Sequence, residues 1–318
     1  LAPQNVEFIT EPATGRFNGV VASGDVDRII SNSSIGNVSV QGQVETLRAN
    51  ANRRTDGSSF SIRGVHRAAD SWDGIAGVVH ITGDLDAALL GDGIRGGSGT
   101  GADVTHGTTP VGGIFVGGGI NHVLARNADV RGPVMAAEDI QRFTALGTDI
   151  QQATIGAGAD FSDWAPWDWF RLTTEGMHLR NLVIRGDGAE LTESSLQVGV
   201  LDRLVMGPRT DGWTDTRLDS IGDPETEESV GVIAIRGGGM SYTGRPPYGF
   251  GEHTIETSQN FGHLVVDGGP MVQVSINSLK SIRSVRAIDG LETLTGSAAL
   301  QAPGGTNLLF ADRITGQG

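Results

Sequence analysis

Three heptapeptides near the start of the chain repeat one arrangement at intervals of nine residues: DVDRIIS from Asp25, SIGNVSV from Ser34 and QVETLRA from Gln43. Each has an apolar residue, a second one three places on, and a small or apolar residue two places after that. The arrangement returns as DLDAALL from Asp84, GINHVLA from Gly119, DIQRFTA from Asp139, DIQQATI from Asp149, HLRNLVI from His178, VLDRLVM from Val200, NFGHLVV from Asn260 and SIRSVRA from Ser281. A repeat spread over a whole chain constrains the fold before any single residue does, because each unit has to bury its apolar face against its neighbours.

The unit is not helical. With about 100° per residue, offsets 0, 3 and 5 fall near 0°, 300° and 140° and make no single stripe. On a flat strand, offsets 3 and 5 share a face and offset 0 points the other way, so a bend between offsets 0 and 3 is needed to bring all three inside. A second pattern, apolar-x-apolar-x-Gly, marks strand ends at Val38 to Gly42, Phe60 to Gly64, Val79 to Gly83, Leu182 to Gly186 and Ile233 to Gly237. Glycine there is expected to supply the positive φ of a tight corner. Short strands of about three to five residues separated by such corners bury a core by stacking on the next turn of chain.

The expected fold is therefore all-β: a single-stranded parallel β-helix, right-handed by the rule for parallel connections. Val26, Ile29, Ile35, Val38, Val44 and Leu47 hold equivalent places in successive units and are expected to be buried in stacked layers. The alternative is a β-sandwich or propeller, whose hairpin turns would use the Asp-Gly pairs at Asp56, Asp73, Asp92, Asp187, Asp211, Asp267 and Asp289. The domain reading places an N-terminal strand or cap at 1–16, the solenoid at 17–300, and a C-terminal cap or tail at 301–318. VEFIT, near the start, lies outside the repeat register; it either caps its own coil or adds to a neighbouring chain by strand exchange.

The texture from Phe17 to Gly290 resembles the glycine-punctuated repeats of bacterial exported and surface β-helical proteins. It is less closely similar to the β-helix of pectate-lyase-like carbohydrate enzymes. The resemblance implies the architecture and an extracellular or cell-surface setting; it implies no activity. Composition agrees with a fold made of turns, since 49 of 318 residues are glycine and 38% are hydrophobic. No cysteine is present, so disulfides and Cys-based zinc sites are excluded. A net charge of −14 argues against nucleic acid as a partner. Apolar runs are too short for a transmembrane segment, and no charged segment leading into an apolar one opens the chain, as expected for a mature exported protein or a cytoplasmic one.

Four stretches interrupt the repeat, near 91–113, 157–176, 207–229 and 239–263, and long interruptions of a regular scaffold are where binding residues are expected. The first contains GGSGTGAD, which approaches the calcium-binding nonapeptide but has Gly101 where an Asp belongs and Asp103 two places late; no cofactor is expected, calcium being the one the sequence points toward at all. The second, DFSDWAPWDWF, sets Trp164, Trp167 and Trp169 beside Asp168, either as a plug over the sheet or as a platform for sugar rings or a partner. The third places Trp213 among Asp211, Asp215, Asp219, Asp223, Glu225, Glu227 and Glu228, a solvated acidic loop or a site for a divalent cation. The fourth gathers Tyr242, Arg245, Tyr248, Glu252 and His253. Its YGFGEH resembles the YGFDPH motif of bacterial alginate epimerases at Tyr248, Gly249, Phe250 and His253, but Gly251 and Glu252 replace the aspartate and proline, so a carboxylate used by that chemistry is missing.

Two roles fit. The first, and the one expected, is a non-enzymatic extracellular or surface β-solenoid with a structural, adhesive or self-assembling role, its partners being other copies of itself or polysaccharide. The second is a carbohydrate-active β-helix, whether lyase, hydrolase or epimerase, with carboxylates brought together from adjacent rungs.

Overall fold

A computed structural model of the chain describes residues 4–9, 16–30, 34–49, 78–90, 113–126, 129–159, 175–242, 254–288, 291–293, 300–301, 306–311 and 314–316. The described chain lays its strands down in three sheets in a fixed order. The first sheet has thirteen strands, beginning Gln4–Ile9, Val26–Ile30, Val44–Ala49, Leu85–Leu90 and ending Ile282–Ala287, Thr306–Ala311. The second has eleven, from Arg16–Ala22 and Ser34–Val40 to Ile276–Ser278 and Leu300–Gln301. The third has seven, from Ile150–Gln151 to Ile314–Gly316. Successive strands visit the first sheet and then the second, and from Ile150 onward they visit the third between the two. Every pairing of named strands is parallel, for example Val44↔Leu85 and Val38↔Val79. The result is an all-β fold of parallel strands in stacked sheets, consistent with a β-solenoid.

The offsets 0, 3 and 5 of the repeat are the buried positions. In Val44–Ala49 these are Val44, Leu47 and Ala49, and in Leu85–Leu90 they are Leu85, Ala88 and Leu90. In register they form columns: Val26, Val44, Leu85, Ile120 and Ile140 stack at offset 0, and Ile29, Leu47, Ala88, Val123 and Phe143 at offset 3. The expected bend is visible in the pairing. Asp27, Glu45, Asp86, Asn121 and Gln141, at offset 1, drop out of the ladder, and one strand of the sheet breaks outright between His178–Leu179 and Leu182–Arg185.

All six residues expected in the core are at most 2% exposed. Their stacking partners, however, are two units away. Ile35, Val38 and Val40 carry the same pattern in the second sheet, so nine residues make half a turn, and a full coil near the start is 18 residues, as from Asp25 to Gln43. In the coils that carry the third sheet without a long insertion, equivalent residues are 21 or 22 apart, as between Ser194 and Thr216 and between Thr254 and Ser275. Trp213, Phe143 and Phe261, among the largest fully buried side chains, lie in the coils that carry this sheet.

Corners depart from expectation in two ways. Gly186 has φ +125, but Gly42, Gly83 and Gly118 owe their place to crowding: a Cβ on them would lie 2.7 Å from the Gly24 carbonyl carbon, 2.8 Å from the Gly42 oxygen and 3.0 Å from the Gly83 carbonyl carbon, respectively. Conversely, the corner between the third and second sheets uses left-handed residues that are not glycine, Gln152, Glu193, Asp215 and Gln273, with φ between 44° and 55°. The Asp-Gly pairs at Asp187, Asp211 and Asp267 sit at corners between parallel strands and form no hairpin.

The stretch 207–229, read from the sequence as an interruption, contains the regular strands Gly212–Thr214 and Arg217–Ser220. The segments read as cap and tail also carry sheet strands: Gln4–Ile9 pairs with Val26–Ile30 across a register shift, and Thr306–Ala311 pairs with Ile282–Ala287. No described helix is long and apolar enough to cross a membrane.

Candidate functional site

Aspartate opens several of the repeat heptapeptides, and its role is geometric. Asp25 Oδ1 accepts the Gln43 N–H at 2.9 Å, Asp84 Oδ1 that of Gly119 at 2.8 Å, Asp139 Oδ1 that of His178 at 2.7 Å and Asp149 Oδ1 that of Glu190 at 3.0 Å. In each case the side chain at one corner satisfies a backbone donor of the next coil. Asp84 and Asp139 also line an open groove at the bend of the first sheet, with Asp86, Glu138, Asn121 and Gln141. At its end Asp139 Oδ2 accepts from Arg180 Nη2 at 2.8 Å, and His178 Nδ1 lies 2.6 Å from Asp202 Oδ1.

The richest mixed cluster lies on the outer face of the second sheet, where the third and fourth sequence interruptions meet. Trp213 pairs with Met240, and Leu218 with Ile255, so the two stretches are adjacent coils. Arg217, one residue past the corner, donates from Nε to Asp219 Oδ1 at 2.7 Å and from Nη2 to Glu256 Oε2 at 2.9 Å. Its Nη2 is also 2.6 Å from Asp219 Oδ1. Two carboxylates from neighbouring coils thus share one guanidinium. Burial pushes the Asp219 carboxyl above its ordinary range, while the Arg217 hydrogen bond and charge pull it back.

Trp213 underlies the corner from inside, and Tyr242 sits at the corner of the next coil. Trp213 is fully buried and its Nε1–H donates to the Thr216 carbonyl at 2.8 Å, closing the corner beneath Arg217. Tyr242 is buried; desolvation, reinforced by the Asp215 charge, pushes its phenol above the ordinary value. Trp213 belongs to the core, while Tyr242 lies at the corner beside Asp215, outside the core cluster. Asp215 is itself a buried corner residue, and Asp223, at the exposed end of the acidic stretch, holds a turn by accepting from the Glu225 N–H and the Thr226 hydroxyl, both at 2.8 Å. Those bonds hold its carboxyl below the usual range. Trp164, Trp167, Asp168, Trp169, Arg245, Tyr248, Glu252 and His253 lie outside the described residues, as do Gly101 and Asp103.

Gln197, Glu256 and Asn277 were missed in the sequence. Their signal is the middle place of a buried-x-buried triplet, Leu196 to Val198, Ile255 to Thr257 and Ile276 to Ser278, which sends them outward from the second sheet. Among the described residues no group of three or more His, Asp or Glu side chains is arranged to hold a metal ion. Comparison with protein-family models, curated proteins and solved structures gives no match.

Proposed function

We propose that this chain is a non-enzymatic β-solenoid of the extracellular or cell-surface kind, a single-stranded right-handed β-helix with a structural and adhesive role. The observation behind this reading is the use made of outward carboxylates. Asp25, Asp84, Asp139 and Asp149 each bind the backbone of the next coil, and Arg217 ties together carboxylates from two coils. Groups employed in this way hold coils in register, whereas a general acid or nucleophile needs a carboxyl free to exchange a proton or meet a substrate. The handedness follows the rule for parallel connections. Stacked repeats of this kind present long, rigid binding surfaces, which suits adhesion to polysaccharide or to further copies of the chain.

The test is an activity screen on neutral and acidic polysaccharides, with and without calcium, following new reducing ends and unsaturated products. No release above a heat-inactivated control is expected. Release that disappears in Asp219→Asn or Glu256→Gln would place the chain among carbohydrate-active enzymes instead.

A further inference from the structure

We infer that the outer face of the first sheet, from the strand Ile120–Arg126 to the strand Asn260–Val266, binds an extended polymer of β-1,4-linked uronic acids laid along the stacking direction of the coils. The inference rests on the adhesive reading above and names the face and the polymer.

Offsets 2, 4 and 6 of the repeat point outward, so successive strands of this sheet set out three columns. The middle column is apolar but for one threonine: Leu124, Thr144, Val183, Val205, Ala234 and Val265. Cations stand on either side of it and take turns. Arg126, Arg185 and Arg236 lie at offset 6 on the first, third and fifth of these strands, while Arg142, Arg203 and His263 lie at offset 2 on the second, fourth and sixth. Between them Leu146 and Gly207 hold the one side and Val232 the other. Asp267, at the far end, is the one carboxylate in the three columns.

These arginines are uncompensated. Arg131, Arg180, Arg209, Arg217 and Arg283 each pair with a carboxylate. Arg126, Arg142, Arg185, Arg203 and Arg236 have no ion pair among the described residues, and all but Arg126 are exposed. A basic face on a chain of net charge −14 attracts an anion where the rest of the surface repels it.

Spacing selects which anion. Neighbouring parallel strands are about 4.8 Å apart, so the cations on one side recur about every 9.6 Å. In an extended β-1,4-linked chain each ring is turned over relative to the last and advances by nearly one strand spacing. Its carboxylates therefore alternate sides, one to a strand, as the cations do. A guanidinium takes a carboxylate through two parallel hydrogen bonds, and the C–H face of each ring lies against the apolar column. An extended acidic peptide returns a side chain to the same side about every 6.6 Å and falls out of step. A second copy laid face to face would set arginine against arginine.

The experiment is retention of the full chain on immobilised poly-β-1,4-glucuronate, with immobilised cellohexaose as the neutral comparison of the same linkage, and polyglutamate and phosphatidylglycerol vesicles as anions of other spacing. The wild type is expected to be held by the polyglucuronate alone. Arg185→Gln with Arg203→Gln, which removes an exposed cation from each side, should weaken retention about tenfold or more without a change in melting temperature. Arg185→Leu with Leu146→Arg keeps the net charge but moves one cation by a single strand, and should weaken retention as well. Unaltered retention in the Gln pair would overturn this face as the contact while leaving adhesion standing, and unaltered retention in the shifted pair would overturn the match of spacing. Equal binding to polyglutamate or to the vesicles would overturn the polyuronate as ligand, and a wild type held only by cellohexaose would overturn selection by charge. A wild type that binds neither saccharide would overturn polysaccharide adhesion itself.

Discussion

Asp139 offers the sharpest test of how the coils are held together, because its two oxygens do separate things. Oδ1 accepts the His178 N–H at 2.7 Å, and Oδ2 accepts from Arg180 Nη2 at 2.8 Å. A hydrogen bond to a charged acceptor contributes about 1.5–3 kcal/mol. The ion pair adds about 0–1 kcal/mol, because the Arg180 side chain is 42% exposed and water screens it. Asp139→Ala removes both, with a weak exposed bond from Gln141 Nε2 at 3.3 Å, and should cost about 2–4 kcal/mol. Asp139→Asn keeps an oxygen for the His178 N–H, losing the charge and the pair, and should cost about 1–2 kcal/mol. Asp86→Ala is the control: among the described residues that side chain accepts from the Asn121 amide alone, at 2.7 Å on an exposed face, so its loss should stay within about 0.5 kcal/mol.

Stacked repeats open coil by coil, so urea unfolding followed by circular dichroism should be accompanied by hydrogen exchange at the His178 amide. Protection there should fall in Asp139→Ala, partly recover in Asp139→Asn and remain intact in Asp86→Ala. If Asn and Ala cost the same, the bond to the backbone contributes nothing and the role assigned to the repeat aspartates is wrong.

Val38→Asp places an unpaired charge between Val20 and Val79 in a position 2% exposed, and should cost several kcal/mol; an unchanged melting temperature would contradict the assigned register. Gln273→Gly relieves a left-handed corner residue at φ 55 and should stabilise by about 0.5–1 kcal/mol in denaturant titration, the strain released exceeding the added freedom of the unfolded chain. Burial raises the folded-state pKa of Asp219, so its contribution to stability is full below the ordinary carboxylate pKa of about 4 and is lost as pH rises through the raised value. Asp219→Asn, which imitates the protonated form, should therefore gain on the wild type at neutral pH, and the gain should shrink on acidification. His80 and His122, whose pKa values are lowered chiefly by desolvation, titrate in both chains and cancel in the difference; a gain that grows as pH falls would refute the assignment.

The repeat disclosed the strand, the bend and the inward residues, because the offsets 0, 3 and 5 that bury Val44, Leu47 and Ala49 are a direct imprint of strand geometry. It did not disclose how strands are shared among sheets. The units at Ser34 and Gln43 carry one pattern yet belong to different sheets, since a corner that turns the chain leaves no mark on the apolar spacing. The third sheet was hidden for a different reason. Strands as short as Ile150–Gln151 and Met240–Ser241 are too brief to show a period, and of the residues that mark their corners, Gln152, Glu193, Asp215 and Gln273, only Asp215 is of a usual turn type.

That hidden sheet is also why the candidate site was only half legible. Trp213 stands among carboxylates in the sequence, in a stretch that reads as a solvated acidic loop or a cation site, but its indole is fully buried and the carboxylates disperse to different places: Asp215 into a buried corner, Asp219 onto Arg217, Asp223 into an exposed turn. Glu256 joins Arg217 from 39 positions away, through a pairing that depends on which coil stacks on which. In a stacked fold the residues that share a surface are set by the count of coils, and the lengths of chain inserted between coils erase that count from the sequence. The outward triplet centres Gln197, Asp219, Glu256 and Asn277 become one track only after the register is known, and the same register decides whether neighbouring carboxylates stand apart or, as here, are held together by a single arginine.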